Sequence, residues 1–434
     1  MDARLRALVV GLAAIFAVLW AVRTPWQEGQ VPLLLDPGRG AADEPPAAAP
    51  SWRRRTAQQL LDKWESVPGA HPLCSPAYLE EEVRSLPRAP PPGEEEAPAA
   101  PLAMAGLTVF VRHPAQIRNA MTSNVTKMLN KMRDTWPTQE RYFLLPFAMD
   151  HLFLFSAGTG LDCALLAVFA DLGWTLGSAR VQKCSEDSDD ETVDASGVYR
   201  SALGTRIIVR GRAFPLPRYL AANMDVLQNN EWLNCGVKRD LSYVLSLTAY
   251  VHHVLDEPAL DAYGAYARLD LDAMFVQQPP SDPRELMQTC ALAYLSFYSF
   301  ETCNTGAKQA LEQFSQLTAQ PIASIDSPWF REGVFFNDLV YLMSTSLVLS
   351  PANIILRTWL YECVEQGYFR HRWVEHAVVP LYLAMWEDVL NLEDAANVCD
   401  LRSWFAPESG NKSIAHSEWY SSFKDFGARG VQVE

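Results

Sequence analysis

Two aspartates spaced i, i+2 close the segment Arg268-Leu269-Asp270-Leu271-Asp272-Ala273-Met274-Phe275, directly after an apolar run. Carboxylates so placed at the end of a strand suit a hard divalent cation, Mn²⁺ or Mg²⁺, which takes oxygen ligands and keeps coordination positions open. Such a cation can bridge the two phosphates of a sugar nucleotide and neutralise the diphosphate as it leaves. The spacing alone is not diagnostic, because Asp187-Ser188-Asp189 repeats it inside an acidic stretch with no strand before it. What separates the two is the strand context of Asp270 and Asp272.

A second cluster is His371-Arg372-Trp373-Val374-Glu375-His376, following Tyr368-Phe369. A carboxylate and an imidazole there can bind metal, diphosphate or acceptor hydroxyls. They can equally form a helix N-terminal turn, with Glu375 favourable on the dipole and Trp373 packed in the core. A third is the aromatic run from Tyr294 to Glu301, which ends in a carboxylate able to act on a sugar as nucleophile, base or hydroxyl acceptor; a salt-bridged structural glutamate is the other reading. His252-His253 reads as helix C-terminal capping or surface. There is no GxSxG elbow, no HExxH and no paired zinc motif, which disfavours hydrolase and metalloprotease chemistry.

These groups need elements to position them, and from Leu107 onward strand-like and helix-like segments alternate. Leu107 to Val111 is apolar and β-branched, and the helix expected from Pro114 carries the stripe Ile117, Met121, Val125, Met128, Met132. Tyr142 to Phe147, Leu152 to Phe155 and Arg206 to Val209 read as strands, with a helix from Leu161 to Leu172 among them. Asp240 to Asp256 is a helix ended by Pro258, and Tyr263 to Leu269 is a central strand that delivers Asp270. Helices are expected over Pro283 to Ala293, Ala307 to Leu317, Asn353 to Gln366 and His376 to Leu390. Repeated β-α units predict an α/β fold with a mostly parallel sheet whose ligand site lies at the strand C-termini.

The chain has 434 residues, 36 basic and 51 acidic, for a net charge of −15. That balance argues against nucleic acid as a partner. Behind Arg4 and Arg6 runs an apolar segment from Ala7 to Val22, closed by Arg23: roughly 24 Å of helix, a signal-anchor with its positive flank cytosolic. The competing reading is a cleaved signal peptide. From Thr24 to Pro101 lie 15 of the 29 prolines; this reads as a stem, with a local helix over Trp52 to Ser66 and Cys74 placed to tether it through a disulfide. Residues 1–23 are thus expected to anchor, 24–103 to form the stem and 104–434 the lumenal domain. Two sequons, at Asn124 and Asn411, and eight cysteines without a CxxC pair agree with a lumenal location.

Taken in order, these segments resemble the fungal α-1,2-mannosyltransferase family, membrane-anchored Golgi enzymes with a GT-A nucleotide-sugar fold that use GDP-mannose and Mn²⁺. Pro258-Ala259-Leu260 with Tyr263, Tyr266 and Arg268 is similar to the family's hPLLxxYxYYWRVEP approach, which puts Asp270 where the family has its metal-binding glutamate. Tyr294 stands where a YGF strand begins, with Glu301 near the downstream acidic position. Phe335-Phe336-Asn337-Asp338 is similar to FWSNFE, and Gly367 to Glu375 to GGFFYERWGD.

The resemblance, spanning Gly106 to Trp404, implies a GT-A-like domain and a metal-dependent, retaining glycosyltransferase in the Golgi, or alternatively the endoplasmic reticulum. It implies metal at Asp270; Asp270 with Asp272, in place of the family's glutamate-proline pair, looks more like the DxD of other GT-A enzymes, and His376 is the nearby histidine to complete the metal set. It places donor contacts at Tyr266, Arg268, Asn337, Arg372, Trp373 and Glu375, and Glu301 at the anomeric carbon. The implied partners are GDP-mannose and a glycan or glycoprotein acceptor. Two positions depart from the pattern: Val379 stands where the family has a metal-holding histidine, and Thr248 where it has an arginine. Such a divergent branch leaves room for another nucleotide sugar as donor, or for a non-catalytic carbohydrate-binding protein.

Overall fold

The strands of the central sheet are almost continuously apolar, and a sheet made of such strands must be covered on both faces. The computed structural model describes residues 52–86, 102–112, 121–157, 161–177, 193–221, 241–295, 306–319, 337–365, 367–369, 378–379, 381–382, 398–401, 404 and 414–416. All belong to the unit Pro45–Glu434; a second unit, Met1–Glu44, lies outside the described residues, and with it the expected membrane anchor. Among the described residues no helix is long and apolar enough to cross a membrane.

Two helices come first, α1 (Trp52–Glu65) and α2 (Pro76–Arg84), followed by β1 (Met104–Phe110), α3 (Met121–Gln139), β2 (Asp150–Ser156) and α4 (Asp162–Asp171). The strands β3 (Thr175–Leu176), β4 (Gly197–Arg200) and β5 (Arg206–Arg212) precede α5 (Leu241–Thr248), which runs on through a π turn and a 3₁₀ turn to Asp256. Next come β6 (Ala265–Leu269), β7 (Ala273–Phe275), α6 (Pro283–Thr289), β8 (Leu292–Leu295), α7 (Ala307–Thr318), β9 (Asn337–Ser344), α8 (Pro351–Cys363), β10 (Val398–Asp400) and β11 (Ile414–His416).

Nine strands form one sheet in the order β10-β8-β9-β6-β1-β2-β5-β4-β3, and β7 pairs with β11 in a second. The expected mostly parallel sheet is parallel at its centre, over β6, β1, β2 and β5, and where β10 meets β8. It turns antiparallel at β9 on one side and at β4 and β3 on the other. Side chains alternate between two buried clusters. Leu107, Val109, Leu152, Leu154 and Tyr266 face α5, α7, α8, α1 and α2. Phe153, Phe155, Ala267 and Leu269 face α3, α4 and α6. At Gly106 in β1 a Cβ would lie 2.8 Å from the Leu144 side chain and 2.9 Å from those of both His151 and Leu269, so a larger residue there would force these buried side chains to shift.

Several expectations need correction. Tyr142 to Phe147 is no strand but a π turn, Glu140–Leu144, that prolongs α3. Phe143 and Phe147, four apart with ring centroids at 6.0 Å, follow the helical period, which outweighs their aromatic β propensity. The helix from Pro283 stops at Thr289, because Cys290 is extended and bonded to Cys399 and the chain enters β8. His252 and His253 are neither caps nor surface: both are buried, with His252 stacked on Tyr361 at 4.0 Å. In the segment read as stem, the expected local helix is α1 and the expected tether is the bond from Cys74 to Cys363 at the end of α8; Trp64, Leu73 and Leu79 are in addition buried in the same cluster as β1.

Candidate functional site: the acidic turn after β6

Because β1, β2, β5 and β6 are parallel, their C-terminal ends share one edge of the sheet. Open α/β sheets bind ligands outside such an edge. There β6 leaves through Leu269 into a turn closed by Ala273 N–H donating to the Asp270 carbonyl at 3.1 Å. Thr108 Oγ1 of β1 donates to the Leu269 carbonyl at 2.9 Å and fixes where the turn begins.

Beneath the turn lies Arg268, without exposed surface. Its guanidinium carbon sits 4.6 Å from the ring centroid of Tyr250 and 5.8 Å from that of Tyr341. A buried cation needs a counter-charge as well as aromatic faces. Arg268 Nη2 finds one in Asp270 Oδ2, at 3.2 Å. Asp270 nevertheless keeps 31% of its side chain exposed, against 12% for Asp272, so Asp270 is the carboxylate a ligand can reach. Asp272 points back to α3, where Lys131 Nζ stands 2.8 Å from its Oδ2.

Helix α3 does more than supply that lysine. Residues four apart stack on one helix face, and Lys131, Thr135 and Gln139 form such a row along the acidic turn. Thr135 Oγ1 donates to the Leu271 carbonyl at 2.6 Å. Gln139 Nε2 donates to the Asp270 carbonyl at 2.9 Å and the Ala273 carbonyl at 2.7 Å. Thr138 Oγ1 accepts from Phe275 N–H at 3.1 Å. The turn is therefore held along its length by one helix. Gln139→Ala would leave two carbonyls without this donor, and the unfolding free energy is expected to fall by about 2–4 kcal/mol. An unchanged urea midpoint would show that the glutamine does not hold the turn.

The other expected residues are placed as follows. Tyr266 is buried mid-strand, its hydroxyl donating to Met343 Sδ at 3.4 Å, so it supports β6 rather than lining a surface. Arg268 likewise acts on the site through Asp270. Asn337 opens β9, paired with Leu295 across an irregularity. Glu301, Arg372, Trp373, Glu375 and His376 lie outside the described residues. Thr248 is buried and back-bonded to the Leu245 carbonyl at 3.1 Å, and Val379 is buried. Of the expected set, Arg268 and Asp270 are brought into contact, while Asp272, in the same turn, pairs with Lys131 instead. Sequence reading missed Lys131, Thr135, Thr138 and Gln139. The polar i, i+4, i+8 row of Lys131, Thr135 and Gln139 was visible beside the apolar stripe of α3, but nothing local names the turn that it meets.

A half-exposed carboxylate at a strand end can accept hydroxyl hydrogen bonds or ligate a hard cation. Asp270 fits Mn²⁺ or Mg²⁺ in that sense. Asp272 has its charge matched by Lys131, and among the described residues no three His, Cys, Asp or Glu gather as a metal cluster.

No protein-family model matches the sequence, and no curated protein matches it. Solved structures are similar to it. Core-mannan synthase A from Aspergillus fumigatus, in its Mn/GDP form, is 10% identical with a TM-score of 0.44, over 74% of this chain and 77% of that one. The mannosyltransferase Ktr4p from S. cerevisiae is 12% identical with a TM-score of 0.41, over 76% and 81%. Mouse xyloside xylosyltransferase 1, apo form, is 12% identical with a TM-score of 0.30, over 69% and 85%.

Proposed function

We propose that this chain is a glycosyltransferase that moves a sugar from a nucleotide donor, GDP-mannose being favoured, to a hydroxyl of a glycan or glycoprotein. The observation that carries the reading is the acidic turn at the C-terminal end of β6, held rigidly at the ligand-binding edge of a parallel sheet core with Asp270 facing outward. Preorganised groups at a reacting diphosphate act without reorganising during the reaction. Here α3 and Arg268 provide that order. Asp270, together with His376, would hold a divalent cation, whose chemistry there would be to neutralise charge on a departing diphosphate. Glu301 faces the anomeric carbon in this reading, and the configuration there is retained.

The same reading places the protein in the secretory pathway, anchored in the Golgi membrane by residues 1–23 with residues 104–434 lumenal. Two disulfides join Cys74 to Cys363 and Cys290 to Cys399, and no described cysteine is free, which supports an oxidising compartment.

The test is thermal stabilisation of the secreted chain from Pro45 to Glu434 by a panel of nucleotide sugars, with and without Mn²⁺. One GDP- or UDP-sugar at a hundred times its Kd is expected to stabilise the protein by about 2.7 kcal/mol. Asp270→Ala is expected to abolish the shift. A well-folded protein that responds to no donor would be a carbohydrate-binding or scaffolding protein instead.

A further inference from the structure

The geometry points to Lys131 as an internal cation that withdraws Asp272 from metal coordination, so that the Asp270-x-Asp272 pair offers an incoming divalent ion one carboxylate, not two. Three observations carry this. Lys131 Nζ lies 2.8 Å from Asp272 Oδ2, and the two side chains are only 16% and 12% exposed, so the pair is largely shielded from water. Charge pairs so shielded are screened little by salt and are costly to break singly. The lysine is also held in register, because the same face of α3 binds the backbone of the turn through Thr135 and Gln139. Finally, Asp270 and Asp272 diverge: Asp270 is turned towards Arg268 and the surface, Asp272 towards α3.

A divalent ion bridging both carboxylates would have to displace or approach an ammonium group already on Asp272, against like-charge repulsion. Lys131 is on this account a positioning residue that fixes the turn and limits its metal affinity. The inference rests on the donor-site reading only for what the turn serves, since its test needs no nucleotide sugar.

Mn²⁺ alone is titrated into the chain from Pro45 to Glu434, with free Mn²⁺ followed by its electron paramagnetic resonance signal. Lys131→Met is expected to bind Mn²⁺ at least tenfold more tightly than the parent protein. Lys131→Arg, which keeps the charge, is expected to bind as the parent does. The double variant Lys131→Met with Asp272→Asn is expected to lose the gain, because the second carboxylate that the ion would use is then gone. A merely structural lysine would weaken metal binding or leave it unaltered when replaced. No gain in Lys131→Met that retains the parent's far- and near-ultraviolet circular dichroism overturns the inference, whether or not the parent binds Mn²⁺. So does a double variant that keeps the gain. Should Lys131→Met unfold, Lys131→Gln carries the same expectation. Loss of the nucleotide-sugar response with the Mn²⁺ gain intact would sink the donor reading and leave this inference standing.

Discussion

A chain that begins at Met104 is expected not to reach the folded state that a chain beginning at Pro45 reaches. The missing segment carries Trp64, Leu73 and Leu79, each at most 1% exposed in the cluster that also holds β1 and α8. Fully burying such side chains contributes about 1.5–3 kcal/mol each. The Cys74–Cys363 bond closes a separation of 289 residues, and in the chain-entropy picture a crosslink of that span contributes about 5 kcal/mol. Polar partners are lost as well. Arg218 donates to the carbonyls of Trp64, Val67 and Gly69, and Arg54 is paired with Asp261. These contributions together match the whole stability of an ordinary domain, about 5–15 kcal/mol. Secretion yield and the calorimetric transition of the two chains check this. The pair Cys74→Ser and Cys363→Ser removes the crosslink alone and is expected to fold with a lowered midpoint. Equal transitions for the Met104 and Pro45 chains would mean that the segment only rests on the surface.

That expectation also marks how far the sequence can be read. The proline count identifies residues 24–101 as unable to bury a core of their own, and this is sound for a segment considered alone. It is silent about an apolar stripe within the segment that docks on another element, as Trp64 and Leu79 do. Periodicity placed β1, β2, β5 and β6 because buried strands are apolar without interruption, and it placed α3 and α5 because their stripes, Val125, Met128 and Met132 in one and Leu241, Val244 and Leu245 in the other, repeat at the helical period. It failed at Tyr142 to Phe147, where aromatic residues suit a strand and a helix equally. The site was legible where it is local: Asp270 and Asp272 follow β6 in the chain and form the turn beyond it. The groups that hold them, Lys131 to Gln139, are more than a hundred residues away, and long-range pairing leaves no local signature. The double histidine was misread for a similar reason, since only the packing of α8 against α5 decides that His252 and His253 are internal.

Those histidines, with two others, set the second large effect: stability is expected to fall steeply between pH 7.5 and pH 5.5. His71, His151, His252 and His253 are all buried, and burial lowers each below the usual histidine range. His71 falls to about 4, and His151 and His253 to about 3. The hydrogen bonds agree with neutral rings. His71 Nδ1 accepts from Leu73 N–H at 3.3 Å, and the Tyr361 hydroxyl, which donates to the Pro215 carbonyl at 2.7 Å, is left to accept from His253 Nε2 at 3.1 Å. His151 Nδ1 has no hydrogen-bond partner among the described residues, so nothing there stabilises a charge.

The sign follows from proton counting. Below pH 6.5 the unfolded chain binds protons at these rings while the folded chain does not, and stability rises with pH wherever the unfolded state binds more protons. The four contributions are fully present above the unfolded value near 6.5 and are lost as pH falls towards the folded values. At pH 5.5 each ring removes about 1.4 kcal/mol, so the four remove about 5 kcal/mol between pH 7.5 and 5.5. For a domain of this size that lowers the melting temperature by roughly 5–10 °C. Unfolding at pH 6 is expected to take up about three protons through these rings, measurable by calorimetry in buffers of different ionisation enthalpy. His151→Asn, which cannot charge, is expected to flatten the pH dependence by about a quarter. A stability curve level from pH 7.5 to 5.5 would mean that these rings are hydrated or paired in the folded protein.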